Sequence, residues 1–211
     1  MAEAQMSHAA PRRHLVIFAR RAQLGVGKRR LARGAGTLAA WRFQRLMLAR
    51  LLRRLGSDPR WTTWLAVTPD RAARDLRWLP IRGSAPVRAM PQGPGDLGRR
   101  MARPMAVLPP GPVVVVGSDI PDLGAAQVTA AFDALGAADA VLGPADDGGY
   151  WLVGLAARAR KRPPFDRVRW SGPHACADTL ANLARDHASW RLLVPLSDVD
   201  EAGDLRPEHF R

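Results

Sequence analysis

The sequence holds a single cysteine, Cys176. That excludes an intrachain disulfide and a cysteine metal cluster, and it leaves Cys176 to be read as a small packed residue on a helix. Lysine is almost as scarce. Only Lys28 and Lys161 occur, and the rest of a net charge of +13 is carried by arginines spread along the chain. Such basicity raises the question of nucleic acid, but there is no zinc finger, RNA-reading motif or basic helix with heptads. No nucleic-acid partner is expected, and an anionic small molecule accounts for the same charge. No apolar run approaches the ~20 residues needed to span a bilayer. The first residues, MAEAQMSHAAPRRH, lack the apolar centre of a signal peptide. No membrane insertion and a cytoplasmic location are therefore expected. His8, His14, His174, His187 and His209 show no metal-ligand spacing. Ser171 and His174 lie close in sequence but without a nucleophile elbow.

What is present is globular. The chain has 211 residues, of which 47% are hydrophobic and 24% charged, enough for one domain with a substantial core. Residues 14–211 are expected to form that domain, and residues 1–13 a short mobile tail. Strands are predicted at residues 14–19 (HLVIFA), 61–67, 87–90, 113–116 (VVVV), 139–142, 150–155 and 191–196. Helices are predicted at residues 37–55, 70–79, 97–108, 124–135 and 173–186. In the first of these, Trp41, Leu48, Leu52 and Leu55 form the apolar stripe, while Arg42, Arg45 and Arg53 lie on another face. The valine run has no polar alternation and reads as a central strand buried on both faces. Alternating strands and helices argue for an α/β fold with a mainly parallel sheet. Ligands of such sheets bind beyond the carboxyl ends of the strands.

Several motifs fail their context test. Gly34-Ala-Gly36-Thr-Leu-Ala39 and Gly93-Pro-Gly95-Asp-Leu-Gly98 match a dinucleotide fingerprint, but neither directly follows a strand. Gly27-Lys28 resembles the end of a phosphate-binding Walker loop, yet Arg29 replaces the Ser or Thr that such a loop needs.

Four segments carry chemistry. Gly25-Val-Gly27-Lys28-Arg29-Arg30 follows the first strand, with glycines that let the backbone approach an anion and cations that neutralise it. Asp119, in Gly117-Ser118-Asp119, ends the valine strand, where a hard oxygen ligand suits Mg²⁺ or Mn²⁺. Asp122 reads as a cap for the next helix. Asp146-Asp147-Gly148-Gly149-Tyr150-Trp151 holds more acids, glycines and aromatics than a plain turn requires. Asp198 and Asp200 alternate at period two, which points both side chains the same way in extended chain and suits one shared cation. Asp200 could instead cap a following helix, with Asp204 structural.

Taken in order, these segments resemble a bacterial family described as nucleotide-diphospho-sugar transferase-like, some members of which are labelled arsenosugar-biosynthesis glycosyltransferases. Gly25, Lys28, Arg30 and Leu31 match a G-x-x-K-T-R-L loop. Gln92-Gly93-Pro-Gly-Asp96-Leu97-Gly98 loosely matches a Q-x-G-x-L-G stretch. Gly117-Ser118-Asp119-Ile-Pro121-Asp-Leu123 and Gly143-Pro144-Ala145-Asp146-Asp147-Gly148-Gly149-Tyr150 match G-S-D-x-P-x-L and G-P-A-x-D-G-G-Y. Trp170-Ser171 and Asp198-Val-Asp200 complete the set, over roughly residues 15–205. One departure stands out: Arg29 occupies the Thr position, which exchanges a hydroxyl for a charge.

The resemblance implies a GT-A-type (Rossmann-like) three-layer sandwich. It implies a glycosyltransferase acting on a nucleotide-sugar, with an unknown small-molecule acceptor and a divalent cation, Mg²⁺ or Mn²⁺. On that reading Phe18, Gly25, Lys28, Arg30, Gln92 and Ser118 bind nucleotide and phosphates, and Asp119 with Asp198 or Asp200 holds the metal. Gly148, Gly149 and Tyr150 shape the acceptor side, and Asp147 is the candidate general base, catalytic alongside Asp119. The alternatives are a nucleotidyltransferase releasing pyrophosphate and a noncatalytic nucleotide-binding protein.

Overall fold

The computed structural model describes residues 12–81 and 87–210. Most of the expected tail, residues 1–11, lies outside the described residues. Seven strands form one sheet: β1 (His14–Arg20), β2 (Thr62–Thr68), β3 (Arg88–Pro91), β4 (Val113–Gly117), β5 (Ala140–Pro144), β6 (Tyr150–Leu155) and β7 (Trp190–Leu192). Their order is β3-β2-β1-β4-β6-β5-β7. All neighbours are parallel except β6, which runs antiparallel to both β4 and β5. The direct β5–β6 connection produces that reversal.

The valine run explains how the layers assemble. Val114 and Val116 point into a core built with α2 (Thr37–Leu55) and α4 (Ala125–Ala137), through Leu48, Leu52, Leu55, Val128 and Phe132. Val113 and Val115 point to the opposite face, where α3 (Leu97–Val107) and α5 (Ala175–Arg185) supply Met101, Met105 and Leu183. Each of these valines is at most 3% exposed, so β4 is buried on both faces. The result is the three-layer α/β sandwich of the GT-A type.

Several expectations need correction. The basic loop does not lead straight into the long helix. A separate α1 (Arg29–Ala35) comes first, and Gly36 at φ 88° divides it from α2. Segment 70–79 is helical only as a 3-10 turn, Asp70–Ala73. Beyond it, the Asp75 carboxylate accepts from the Arg77 backbone N–H at 3.0 Å and from its guanidinium, a local bond that competes with helix. The last strand is β7, ending at Leu192 rather than at residue 196. Pro195 has no N–H to extend the ladder, and Leu193 and Leu196 touch the sheet through isolated bonds to Leu142 and Pro144. Asp122 does not cap α4: the N-cap is Gly124, whose N–H is held by Gln127 Oε1. On α2 the buried stripe includes Phe43 and Met47, whereas Trp41 is half-buried under the Arg45 guanidinium.

Asp139 ties the start of β5 to that of β7. Its carboxylate accepts from the Ser189 N–H and hydroxyl (2.9 and 2.7 Å) and from Arg158 Nε (2.7 Å). The Ser189 bonds lead in holding its pKa below the usual aspartate value, with Arg158 adding to them. A depressed carboxylate contributes stability above its unfolded-state pKa and loses it as pH falls through the folded-state value. Asp139→Asn should therefore cost about 1–2 kcal/mol at neutral pH and progressively less below about pH 4. Urea midpoints at pH 7 and pH 3 check this.

Candidate active site

The strand order fixes where a ligand can bind. The chain runs outward from β1 through β2 to β3, then returns to β4 on the other side of β1. Between β1 and β4 lies the topological switch point, where the connections leave in opposite directions and open a crevice at the carboxyl edge. A cleft of about 690 Å³ occupies it. Phe18, Ala19 and Arg20 from β1, and Gly117, Ser118 and Asp119 from the end of β4, form its floor. The loop after β1 supplies Gly27 and Lys28, the first turn of α1 supplies Arg29 and Arg30, and Gln92, Arg100 and Asp200 close the sides.

Lys28 is the centre of this arrangement. Its Nζ lies 2.9 Å from Asp119 Oδ2 and 2.7 Å from Asp200 Oδ1, and donates to the Val199 carbonyl at 2.6 Å. The side chain is 8% exposed. Burial works against its charge, but the Asp119 and Asp200 carboxylates outweigh it and hold the Lys28 pKa above the usual lysine value. The two acids come from distant parts of the chain. Asp119 is carried by β4, and its carbonyl accepts from the Val199 N–H, which pins the segment bearing Asp200 against it. Ser118 Oγ donates to Asp119 Oδ1 at 3.2 Å, so both carboxylate oxygens are engaged. Lys28 itself has φ 42°, a left-handed conformation between Gly27 (φ 80°) and α1.

These contacts test the expected metal. Two carboxylates converge on one position that already holds a cation, and both are hard oxygen donors. Among the described residues, no group of three or more His, Cys, Asp and Glu forms a metal cage. Mg²⁺ commonly takes only one or two carboxylates and completes its shell with water and substrate phosphates, so the donor set fits such an ion. The pair that converges is Asp119 with Asp200. Asp198 makes no ion pair with Lys28 and lines a neighbouring cavity. Burial comes first, then the nearby Asp200 and Asp147 carboxylates, in pushing the Asp198 pKa above the usual aspartate value.

That second cavity, about 260 Å³, shares Leu97, Gly117, Ser118, Asp119 and Ser171 with the first. Asp147, Gly149, Tyr150 and Trp170 line its walls. Asp147 Oδ1 accepts from the Gly149 N–H at 2.8 Å, a turn contact that orients the carboxylate. Tyr150 packs edge-on to Trp170 with centroids 6.4 Å apart, and burial raises its phenol pKa.

Two expected residues stand apart. Gly25 sits at the tip of the loop, in the turn closed by the Val26 N–H on the Gln23 carbonyl, and Gly27 lines the cleft instead. Gly148 is outside the second cavity. Its φ is 81° and a Cβ there would meet the Pro173 carbonyl oxygen at 2.3 Å, so it serves the packing of the loop. Residues missed in the sequence include Arg20, Gln44 and Arg100 in the first cleft. Arg20 directly follows the first predicted strand, a signal the sequence does contain, whereas Gln44 and Arg100 lie on helices whose rotation the sequence does not specify.

A family model described as "uncharacterized protein conserved in bacteria", DUF2064, matches residues 51–172. No curated protein matches the sequence. Among solved structures, a candidate nucleotide-diphospho-sugar transferase from Desulfovibrio desulfuricans G20 superposes with a TM-score of 0.79 at 28% identity, covering 90% of this chain and 82% of that one. The 4-diphosphocytidyl-2C-methyl-D-erythritol synthase of Anaerococcus prevotii shares the fold with a TM-score of 0.58 at 11% identity, covering 94% and 92%. So does Rv0371c of Mycobacterium tuberculosis, solved in complex with manganese, with a TM-score of 0.53 at 16% identity and coverage of 96% and 97%. The family match spans more than half of the chain and includes β4, Asp119 and the Asp147 loop, and the chain belongs to the bacterial family DUF2064.

Proposed function

We propose that this protein is a transferase acting on a nucleotide diphosphate-sugar, bound across the carboxyl ends of β1 and β4. The observation that carries the reading is the convergence of Asp119 and Asp200 on one cation position inside a basic cleft at the switch point. Two solved relatives of the same fold support the class: the nucleotide-sugar transferase candidate, and the diphosphocytidyl synthase.

The residues divide the work. Arg20, Arg29, Arg30 and Arg100 surround the cleft and would neutralise the diphosphate. Asp119 and Asp200 are the residues that would hold a divalent ion, and Lys28 would contact a phosphate oxygen. Such an ion supplies charge stabilisation for the leaving diphosphate. Gln92 would read the base. Its amide nitrogen donates to the Ala19 and Ala66 carbonyls (3.2 and 3.0 Å), which uses both N–H groups and fixes Oε1 as the acceptor the side chain can offer a ligand. Phe18, at the end of β1, lies on the cleft floor and supplies apolar surface. Asp147 would accept the proton of the acceptor in the second cavity.

A nucleotidyltransferase would use the same basic cleft and cation position, and the diphosphocytidyl synthase of the same fold supports that as the second reading. Free nucleoside diphosphate marks the first reaction and pyrophosphate the second. The direct test is thermal unfolding against nucleotides and nucleotide-sugars, each with Mg²⁺, Mn²⁺ or chelator. A ligand at about 100 times its Kd adds about 2.7 kcal/mol, which for a domain of this size raises Tm by about 5–10 °C. A metal-dependent rise with one nucleotide is expected. No rise with any nucleotide removes the reading.

A further inference from the structure

We propose that the second cavity accepts a compact, hydroxyl-bearing molecule carrying no negative charge, so that transfer is to an alcohol and not to a phosphate or carboxylate. This rests on the transferase reading above and assigns the class of its second substrate.

The charge of the site reverses across one shared wall. On the nucleotide side, arginines and Lys28 line the cleft. On the other side, among the described residues lining the cavity, there is no arginine, lysine or histidine, and Asp147 and Asp198 face it. Lys28 lies at the boundary; without ligand its ammonium is shared between Asp119 and Asp200 at 2.9 and 2.7 Å, and with the diphosphate bound it would contact a phosphate oxygen in the cleft. A phosphate monoester in this cavity would meet the Asp147 and Asp198 carboxylates, with Asp119 at the shared wall, and no cation of the cavity's own. Sites that bind phosphate supply arginine, lysine or clustered backbone N–H groups for it. The cations of the cleft, with any divalent ion held at Asp119 and Asp200, are matched against the diphosphate on the far side of the wall.

Size and wall chemistry define the rest. At about 260 Å³ the cavity is smaller than the ~300–1,000 Å³ of sites for drug-sized ligands. Trp170 and Tyr150 offer flat apolar surface to C–H groups, while the two carboxylates accept from hydroxyls. The reaction that follows is balanced within the site. The acceptor oxygen bonds to the anomeric carbon as the bond from that carbon to the diphosphate oxygen breaks. The nucleoside diphosphate leaves with the electron pair, and the hydroxyl proton passes to the Asp147 carboxylate and then to water.

The test pairs neutral probes with their anionic counterparts: glycerol with glycerol 3-phosphate, and glucose with glucose 6-phosphate. Binding to the full chain is measured by saturation-transfer NMR, with and without the nucleotide that raises Tm most. Neutral members are expected to bind, and the phosphate esters to bind on the order of tenfold more weakly, as an unpaired like charge in a half-enclosed site requires. Ala145→Lys places a cation in the cavity wall and should reverse that order for the glucose pair. Equal or tighter binding of the phosphate esters to the wild type, or no binding by any neutral member, overturns the assignment. Failure of the transferase reading would show separately, as absence of nucleotide stabilisation in the unfolding panel.

Discussion

Asp119→Asn should abolish the metal-dependent part of nucleotide stabilisation, a loss on the order of 5–10 °C under saturating ligand, and lower turnover about 100- to 1,000-fold. The substitution keeps shape and one carbonyl acceptor but removes the charge. In the wild type, Asp119 Oδ2 contacts Lys28 and Oδ1 accepts from Ser118; a side-chain amide has one oxygen and can keep at most one of these partners. Lys28 keeps Asp200 and the Val199 carbonyl, which leaves the ammonium paired. The Asp119 side chain is 30% exposed, and an ion pair this accessible is worth on the order of 1 kcal/mol. The ligand-free Tm should therefore fall by only a few degrees. Separation of the two effects is the informative result: a nearly unchanged fold with a lost ligand response. Unchanged nucleotide stabilisation in Mg²⁺ would remove Asp119 from the cation position and with it the central claim about the site. Asp200→Asn should act in the same direction, because its carboxylate meets the same ammonium from the other side.

The parts of this arrangement that are legible in the sequence are those written in consecutive residues. The valine run announces a central strand, and Asp119 at its end marks the carboxyl edge where such sheets bind ligands. Strand–helix alternation implies the sandwich. Relations between segments are harder to read. Period two suggests that Asp198 and Asp200 share a cation, but the chain around Val199 is not a sheet strand; the Val199 N–H bonds to the Asp119 carbonyl and the two acids line different cavities. From sequence, Lys28 is expected on the phosphates alone, because nothing there brings it within hydrogen-bond reach of residues 119 and 200. Glycine identity is also ambiguous. Gly25 and Gly27 both have positive φ, and only the direction of the loop decides which of them faces the cleft. The order of β5 and β6 depends on a direct connection that alternation rules tend to overlook.

Arg160→Met is the substitution with the largest expected effect on stability, and it tests the frame rather than the chemistry. The Arg160 guanidinium is inserted beneath the end of α3. Its Nε donates to the Met105 carbonyl at 2.7 Å, Nη1 to Pro109 and Gly111 at 2.6 and 2.9 Å, and Nη2 to Leu108 at 2.5 Å. These carbonyls belong to the last turn of α3 and the loop into β4, where a helix has no N–H donors of its own left to satisfy them. Methionine fills similar volume and leaves all four without their donor. The cost should be about 3–5 kcal/mol, or a fall in Tm on the order of 10 °C. Arg160→Lys should recover only a small part, because one ammonium cannot reproduce the planar fork that reaches four carbonyls. Arg160 lies at the opposite end of α3 from Leu97 and Arg100, which line the nucleotide cleft. Below its lowered Tm, Arg160→Met should therefore keep the full nucleotide-dependent shift, the reverse of the pattern for Asp119→Asn. A variant that lost both together would mean that α3 is positioned from its carboxyl end, and that the cleft depends on the Arg160 bonds for its shape.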